Sequence, residues 1–137
     1  MHWHFPEDLK YTGKHEWVKM TDQNGKKTVL IGITDYAQDK LGKIVFVELP
    51  ETGREVKPGE SLAVIESVKA VSDVFSPVAG SVLEVNEGLF DTPELLNEDP
   101  YAAGWIVRLA IADEAEYAGL MSVSEYLTFV RQAEEEV

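Results

Sequence analysis

The chain has 137 residues, the usual length of one domain, and 45% of them are hydrophobic, which is enough to form a buried core. It contains no cysteine, so disulfide bonds, thiol nucleophiles and thiolate metal sites are excluded. A formal net charge of −13 argues against nucleic acids and anionic membranes as partners, because phosphate binding needs clustered lysine and arginine. The same charge favours docking on basic patches of other proteins.

Nothing in the hydropathy pattern points to a membrane or to export. The sequence has no run of about 18 apolar residues, so no membrane span is predicted. Residues 1–8 have neither the apolar centre of a signal peptide nor the Arg- and Ser-rich pattern of a transit peptide. We therefore expect a cytoplasmic protein, or a mitochondrial matrix protein if the chain is a matured organellar form.

Short strands dominate the predicted secondary structure. In chain order we expect a loose lead-in at 1–10, strands at 15–20 and 28–33, a short helix at 34–42, a strand at 43–49, a hairpin at 62–74, strands at 81–85 and 105–110, and a helix at 122–136. Asn24-Gly25 is a hairpin turn signal between the first two strands. Thr34 is suited to cap the first helix and Gly42 to end it.

The C-terminal helix is the one long helix that the sequence predicts. Ser122 and Glu125 fit a capping box, and apolar side chains recur after them at helical spacing. Residues 134–136 are all glutamate and oppose the helix dipole, so this end is expected to fray, and loss of residues 131–137 is expected to matter little. The whole chain, 1–137, is predicted to be a single domain with a core at about 11–111 and a helical extension at about 113–136. Mainly β structure with small helices is predicted to close as a sandwich or flattened barrel.

Lys69 is the most informative single residue. It interrupts a strand-like run, and Gly59 and Gly80 flank that run at nearly equal distances, so the sequence predicts a hairpin with an amine at its tip. A projecting lysine has little use in packing and is suited to covalent attachment of a mobile group, although an ordinary solvated lysine is the simpler alternative. A Schiff-base lysine would need burial to lower its pKa, which a hairpin tip does not provide.

The remaining candidates are weak. His2-Trp3-His4 lacks a carboxylate beside it, and three histidines without cysteine do not make a closed zinc site, so no metal is expected. The glycines are not spaced as a phosphate-binding loop. No pair of acids and no nucleophile–base arrangement stands on a rigid spacing, so we expect no catalytic residues and no catalysis by the chain itself.

Several segments, taken together, resemble the glycine cleavage system H protein family in register over roughly residues 9–130. The residues that carry the resemblance are His15-Glu16-Trp17-Val18, Gly32-Ile33-Thr34-Asp35-Tyr36-Ala37-Gln38, Ile44-Val45-Phe46-Val47-Glu48-Leu49-Pro50, Glu66-Ser67-Val68-Lys69-Ala70, Ser76-Pro77, Glu84-Val85-Asn86, Asn97-Glu98-Asp99-Pro100-Tyr101 and Gly104-Trp105. The resemblance implies a lipoyl-domain fold, a hybrid of barrel and sandwich, with short helices and a C-terminal helix.

The resemblance also implies the cofactor: lipoic acid, attached to Lys69 through an amide. A related type of carrier bears biotin on a lysine that is usually bracketed by methionines. Val68 and Ala70 stand at those positions here, which favours lipoyl over biotinyl. A plain binding domain in which Lys69 is never modified is the other alternative.

The implied function is that of a lipoyl-bearing shuttle and not of an enzyme. Its partners would be a pyridoxal-phosphate glycine decarboxylase, which loads an aminomethyl group, a tetrahydrofolate-dependent aminomethyltransferase, which removes it, and dihydrolipoyl dehydrogenase, which reoxidises the arm. A lipoate ligase or lipoyl transferase would attach the cofactor. The chain is expected to be a monomer when free.

The resemblance implies that two carboxylates, Glu16 and Asp73, line a cleft that shelters the loaded arm. The alternative is that each is an ordinary polar residue of its strand. Two residues depart from the family pattern. Lys14 stands where a small hydroxyl side chain is common, and Lys43 stands where an acid is usual. Both add positive charge near the expected cleft, and they leave open an alternative function: a lipoyl carrier that serves lipoyl transfer or another redox pathway.

Overall fold

A computed structural model of the chain describes residues 2–135. The strands are β1 (Lys10–Tyr11), β2 (Glu16–Gln23), β3 (Lys26–Ile33), β4 (Ile44–Glu48), β5 (Glu55–Val56), β6 (Ser61–Ser67), β7 (Val71–Phe75), β8 (Gly80–Val85) and β9 (Val107–Ile111). The helices are α1 (Asp35–Leu41), α2 (Gly88–Asp91), α3 (Leu95–Glu98), α4 (Glu114–Ala118) and α5 (Val123–Glu135). The prediction of a mainly β chain with short helices and a C-terminal helix is confirmed.

Two antiparallel sheets enclose the main core. One has six strands in the order β1-β2-β3-β9-β8-β5, and the other has three in the order β4-β6-β7. Both sheets contribute fully buried aliphatic side chains to one cluster, including Val18, Ile31 and Leu109 from the larger sheet and Ile44 and Ile65 from the smaller one. The removal of this apolar surface from water is the main force that holds the sheets together.

The β2–β3 hairpin turns in two residues, as the sequence predicts. Gln23 pairs with Lys26, so only Asn24 and Gly25 lie between the strands. Both have positive φ, 55° and 80°, which is the backbone that a tight hairpin turn of this kind requires. Asparagine and glycine adopt it more readily than other residues, and the turn sets the register of the whole hairpin.

Helix α1 begins and ends where its capping residues predict. The Thr34 hydroxyl accepts a hydrogen bond from the backbone N–H of Ala37, which satisfies one free donor of the first turn. Gly42 ends the helix with φ 79°, and its N–H donates to the carbonyl of Gln38. The left-handed backbone of Gly42 turns the chain directly into β4.

A second, aromatic core lies on the outer face of the larger sheet beneath α5. Its buried members are Leu9, Tyr11, Trp17, Tyr36, Tyr126 and Val130. The rings of Tyr11 and Tyr126 are stacked, 4.7 Å apart and 6° from parallel. The predicted capping box begins α5: Ser122 N–H donates to the Glu125 carboxylate, and Glu125 N–H donates to the Ser122 hydroxyl.

Residues 2–9 of the predicted lead-in form no helix or strand before β1, but hydrogen bonds hold them to the rest of the chain. The Trp3 indole donates to Asp39 at 2.8 Å, and the carbonyl of His4 accepts from the Tyr101 hydroxyl at 2.6 Å. The Tyr11 hydroxyl donates to the carbonyl of Pro6 at 2.6 Å. Asp39 and Tyr101 are distant in sequence from the lead-in, so local sequence around Pro6 does not reveal this packing.

The last turn of α5 is also better tethered than its sequence predicts. The carboxylate of Glu134 accepts hydrogen bonds from the Tyr36 hydroxyl at 2.9 Å and from the Lys40 amine at 3.3 Å. These contacts work against fraying and give residues 131–135 a role that the acidic run conceals. Residue 136 lies outside the described residues. No helix of residues 2–135 has the length and hydropathy needed to span a membrane.

Gly32 provides a test of the packing between the strands and the aromatic core. It pairs with Trp17, and a Cβ added to Gly32 would lie only 2.6 Å from the indole, which a hydrogen bond to Pro100 holds in place. We expect Gly32→Ala to lower the free energy of unfolding by about 1–3 kcal/mol, because the ring has no room to move. Urea unfolding measures this, with Gly119→Ala as the control, since an added Cβ there makes only ordinary contacts. Equal stabilities for the two variants would contradict the packing described.

Candidate functional site

Lys69 lies at the tip of the β6–β7 hairpin, as the sequence predicts. The Ser67 N–H donates to the carbonyl of Ala70 at 2.8 Å, and the Ser67 hydroxyl oxygen accepts from the N–H groups of Lys69 and Ala70 at 3.3 and 3.0 Å. The N–H of Val68 donates to the carbonyl of Lys43 at 3.0 Å, which ties the tip to the start of β4. Lys69 therefore extends from a braced turn and not from a free loop.

The side chain of Lys69 passes over Gly42. A Cβ placed on Gly42 would lie 3.5 Å from Cε and 4.0 Å from Nζ of Lys69. Asn97 holds this turn: its amide donates to the carbonyl of Gly42 at 2.8 Å and to Gln38 at 3.0 Å, and its oxygen accepts from the N–H of Ile44 at 2.9 Å. Both N–H groups of the Asn97 side chain and one lone pair of its oxygen are therefore used between α1, the Gly42 turn and β4.

The amine of Lys69 suits an amide-linked group. Lys69 is exposed, and within residues 2–135 no carboxylate lies at ion-pair distance from its Nζ. Acylation of this amine removes a positive charge without breaking an ion pair or leaving a buried partner. Val68 and Val71 beside it are each 67% exposed, so the tip also offers an apolar surface.

Glu16 is a buried carboxylate, 2% exposed, at the start of β2. Its Oε1 accepts from the Thr12 hydroxyl at 2.6 Å, and its Oε2 accepts from the N–H of Phe75 at 3.2 Å, so it joins the larger sheet to the end of β7. Burial raises the pKa of Glu16, while these two hydrogen bonds and the charge of Lys14 act in the opposite direction. A carboxylate kept in so dry a place interacts strongly with any cation that reaches it.

Asp73 lies on the outer face of β7 and is exposed. It accepts a hydrogen bond from the Ser61 hydroxyl at 2.7 Å. Asp73 is four residues after Lys69 in the chain, and Phe75, whose N–H binds Glu16, is two residues further on. Asp73 and the backbone contact of Glu16 therefore both lie on β7, and neither carboxylate forms an ion pair with Lys69.

The two lysines that depart from the family pattern flank this region. The Lys14 amine lies 5.9 Å from the centre of the Phe75 ring, over the residue whose N–H binds Glu16. Lys43 precedes β4, and its carbonyl accepts a hydrogen bond from the N–H of Val68. Lys14 is thus placed to influence the Glu16 carboxylate, and Lys43 lies next to the Lys69 tip.

Two surface cavities bear on the site differently. One of about 380 Å³ adjoins the Lys69 turn and is lined by residues of the α1 end and of α3, among them Gly42, Lys43 and Asn97. A larger groove of about 630 Å³ lies beside β5, β8 and β9 and includes none of Lys69, Glu16 and Asp73. Size alone would select the wrong groove, because the site is built around a projecting side chain and not around a deep pocket.

Three supporting residues were not singled out from the sequence. Ser67 braces the tip, Asn97 holds the Gly42 turn, and Thr12 supports Glu16. Ser67 adjoins the lysine in a short turn, where hydroxyl side chains often bond to backbone N–H groups, so it was detectable. Asn97 and Thr12 carry no such local signal, because their partners are distant in sequence or depend on how the turn folds.

Comparison with known proteins gives the same family as the motifs. A family model for the glycine cleavage H-protein matches residues 9–133. The chain is 53% identical over 129 residues to the glycine cleavage system H protein of Halothermothrix orenii, covering 94% of this chain and 98% of that protein. It is 51% identical to the H protein of Vibrio vulnificus strain YJ016, covering 90% and 96%.

A solved structure supports the fold as well. The crystal structure of a glycine cleavage system H protein from Mycobacterium marinum superposes with a TM-score of 0.80 at 38% identity, covering 90% of this chain and 97% of that one. The fold class predicted from the resemblance is confirmed by this match. The chain belongs to the glycine cleavage H-protein family, whose members bear a covalent lipoyl group on a lysine and shuttle it within the glycine cleavage system.

Proposed function

We propose that Lys69 is the lysine of this chain that carries the lipoyl group. The observation that carries the proposal is an exposed amine, without an ion-pair partner among residues 2–135, on a hairpin tip braced by Ser67. A lipoate ligase or lipoyl transferase needs access to the amine from outside, and the tip provides it. A braced base also fixes the point about which the arm moves.

The chain itself does no chemistry under this proposal. When bound, the lipoyl group supplies a disulfide that takes up the aminomethyl group on one sulfur and is reduced in the process. The protein holds and presents the lipoyl group. Glycine decarboxylase, aminomethyltransferase and dihydrolipoyl dehydrogenase act on it in turn. A tether keeps the cargo at a high effective concentration near each of these enzymes without release into solution.

The outer face of the smaller sheet supports docking by these enzymes. Phe46 pairs with Glu66, which pairs with Val71, so the three side chains form one row beside the Lys69 tip. Phe46 is 49% exposed and Val71 is 67% exposed, so two large apolar side chains of one row face solvent beside the tip. The next row, Glu48–Val64–Asp73, adds two exposed carboxylates. An apolar patch with an acidic border fits an enzyme surface in which basic residues surround the entrance to the active site.

Glu16 and Asp73 are proposed to shelter the loaded arm. The aminomethyl cargo carries an ammonium, and a buried carboxylate binds a cation more strongly than an exposed one does. Glu16 has the burial, and Asp73 lies between it and Lys69 along β7. The two hydrogen bonds that Glu16 already accepts leave lone pairs for a third partner.

The alternative client remains open because of Lys14 and Lys43. A carrier that serves lipoyl transfer or another redox pathway would accept lipoate normally and yet fail to stimulate glycine–bicarbonate exchange by glycine decarboxylase. That exchange assay, run on the lipoylated chain, separates the two functions. The monomeric state and the cytoplasmic location expected from the sequence stay predictions.

The first test is the site of attachment. After co-expression with a lipoate ligase, intact mass spectrometry is expected to show the gain of one lipoyl group in the wild type and none in Lys69→Arg. Lys43→Arg is the control, because it alters a lysine beside the same tip and should keep the full gain. A lipoyl adduct that survives in Lys69→Arg would exclude Lys69 as the attachment site.

The second test is the lifetime of the cargo. Water removes the aminomethyl group as formaldehyde and ammonia and leaves a free thiol, and sheltering slows this loss. We expect Glu16→Gln to accelerate formaldehyde release about tenfold, because a charge-assisted hydrogen bond to the ammonium is lost. The extent of lipoylation should be unchanged, and Glu55→Gln, at an exposed carboxylate of β5, should release formaldehyde at the wild-type rate. An unchanged lifetime in Glu16→Gln would remove Glu16 from the site.

The third test concerns stability and pH. Because burial raises the pKa of Glu16, folding favours its protonated form, and ionisation costs stability as the pH rises through the raised pKa. Glutamine does not ionise, so Glu16→Gln is expected to gain stability relative to the wild type between about pH 4 and about pH 7. Urea unfolding at both pH values measures the difference, with Glu55→Gln as the control. A relative loss of stability at the higher pH would mean that the buried carboxylate is net stabilising.

The fourth test concerns docking. We expect Phe46→Ser to raise the KM of glycine decarboxylase for the lipoylated chain about tenfold with little change in kcat, because apolar contact area is lost without altering the arm. Leu83→Ser is the matched control, since Leu83 is 44% exposed but lies on β8 of the other sheet. Equal effects of the two changes would show that the outer face of the smaller sheet has no special part in docking.

A further inference from the structure

His15 has an unusual backbone conformation next to the proposed sheltering carboxylate. Its φ is 70°, in the left-handed region that residues other than glycine rarely adopt, although histidine does so more often than most. It ends the turn between β1 and β2 and directly precedes Glu16. A disfavoured conformation persists only where the surroundings enforce it, and such positions concentrate at functional sites.

The backbone of His15 is held from two sides. Its N–H donates to the carbonyl of Thr12 at 3.1 Å, and its own carbonyl accepts from the N–H of Thr34 at 3.0 Å. The first bond closes the turn, and the second attaches it to the start of α1. These two bonds fix the position of the turn, and the side chain of His15 makes further contacts.

The side chain of His15 is held by the C-terminal helix. Its Nδ1 lies 2.8 Å from the hydroxyl of Tyr126, and its ring packs against Tyr36, Tyr126 and Phe129 with centres 4.8, 5.7 and 5.7 Å away. Two of these three rings belong to α5. Helix α5, near the C-terminus, therefore holds the side chain of a residue near the N-terminus.

Three side chains are joined by hydrogen bonds at this clamp. Burial, and then the charge of Lys14, lower the pKa of His15, which favours a neutral imidazole. In the tautomer with Nδ1 unprotonated, the Tyr126 hydroxyl donates to Nδ1 and accepts from the Thr34 hydroxyl, 2.8 Å away; in the other tautomer, Nδ1 donates to Tyr126. The Thr34 hydroxyl oxygen also accepts from the N–H of Ala37. The contact between hydroxyl and imidazole is present in both tautomers.

The conformation of His15 sets the direction in which Glu16 leaves the turn. The Glu16 N–H donates to the Thr12 hydroxyl at 3.2 Å, and that hydroxyl donates to the Glu16 carboxylate at 2.6 Å. Rotation about φ of His15 would turn the peptide that joins it to Glu16, and the carboxylate would move away from Thr12 and from the N–H of Phe75. The position of the carboxylate thus depends on the clamp.

We propose that Tyr126 and His15 are positioning residues for Glu16, so that the C-terminal helix holds the sheltering carboxylate in place through a hydroxyl–imidazole contact. The functional consequence of this coupling rests on the proposed role of Glu16 in sheltering the cargo. The coupling itself is a property of the chain without its lipoyl group, and it can be measured there. The helix then does more than cover the aromatic core.

The first experiment follows the Phe75 amide by NMR in the unlipoylated protein. Its N–H binds Glu16, so its chemical shift should change as Glu16 titrates. Tyr126→Phe keeps the ring and removes the hydroxyl, and we expect it to move both the Phe75 shift and the titration midpoint. Tyr36→Phe is the control, because it also removes a hydroxyl that touches α5, through Glu134, and keeps the ring against His15. His15→Gly permits the left-handed backbone without the clamp and should behave like Tyr126→Phe.

The second experiment measures formaldehyde release from the loaded carrier. We expect Tyr126→Phe to accelerate the loss about fivefold, the change for one neutral hydrogen bond. If the clamp acts through Glu16, the double variant Tyr126→Phe/Glu16→Gln loses cargo no faster than Glu16→Gln alone. Additive effects would mean that the helix acts by another route and would overturn the proposal.

The two experiments distinguish the ways in which the proposal can fail. The coupling would be refuted if both Tyr126→Phe and His15→Gly left the chemical shift of the Phe75 amide and its titration midpoint unchanged. This holds whatever the role of Glu16. A moved titration, together with a normal cargo lifetime in Glu16→Gln, would leave the coupling standing and remove the sheltering role from the proposed function. If the control Tyr36→Phe changes the chemical shift of the Phe75 amide as much as Tyr126→Phe does, the effect comes from a general loosening of α5. That result would overturn the proposal.

Discussion

Under the proposed function, the amine of Lys69 has to stay free in a chain that contains 25 acidic residues. A flexible lysine on such a surface would readily meet a carboxylate, and an ion pair would compete with acylation. Ser67 braces the tip and the Lys43 carbonyl binds it to β4, and no carboxylate of residues 2–135 lies at ion-pair distance from the Lys69 amine. The Asn97 hydrogen bonds hold the Gly42 turn beneath the lysine stem.

Sheltering a cationic cargo, the role proposed for Glu16, imposes the opposite requirement from exposing an amine. It needs a carboxylate that water does not screen, and Glu16 is buried at a cost that its raised pKa reveals. Two hydrogen bonds to the carboxylate offset part of that cost. Lys69 lies at the tip that precedes β7, and Glu16 contacts Phe75 at the end of β7, so this strand connects the two.

Local patterns predicted the elements that depend on neighbouring residues. The Asn24-Gly25 turn, the Thr34 cap and the Ser122–Glu125 capping box all form as expected, because each is completed within a few residues. The hydrogen bonds of the lead-in and of the last described turn of α5 were not predicted, since Trp3 and Glu134 find their partners on α1. Contacts of this kind join residues far apart in sequence, and no short pattern contains them.

The sequence by itself determined the family, the two-sheet fold and the hairpin that carries Lys69, because motifs and turn residues act locally and need no knowledge of packing. Only the tertiary structure decided that Glu16 is buried against Phe75, that the lysine lies over a turn held by Asn97, and that α5 clamps His15. These features arise where separate elements meet. Burial and hydrogen bonding at such junctions depend on the relative placement of whole sheets and helices, which the main hydrophobic core and the aromatic core establish together.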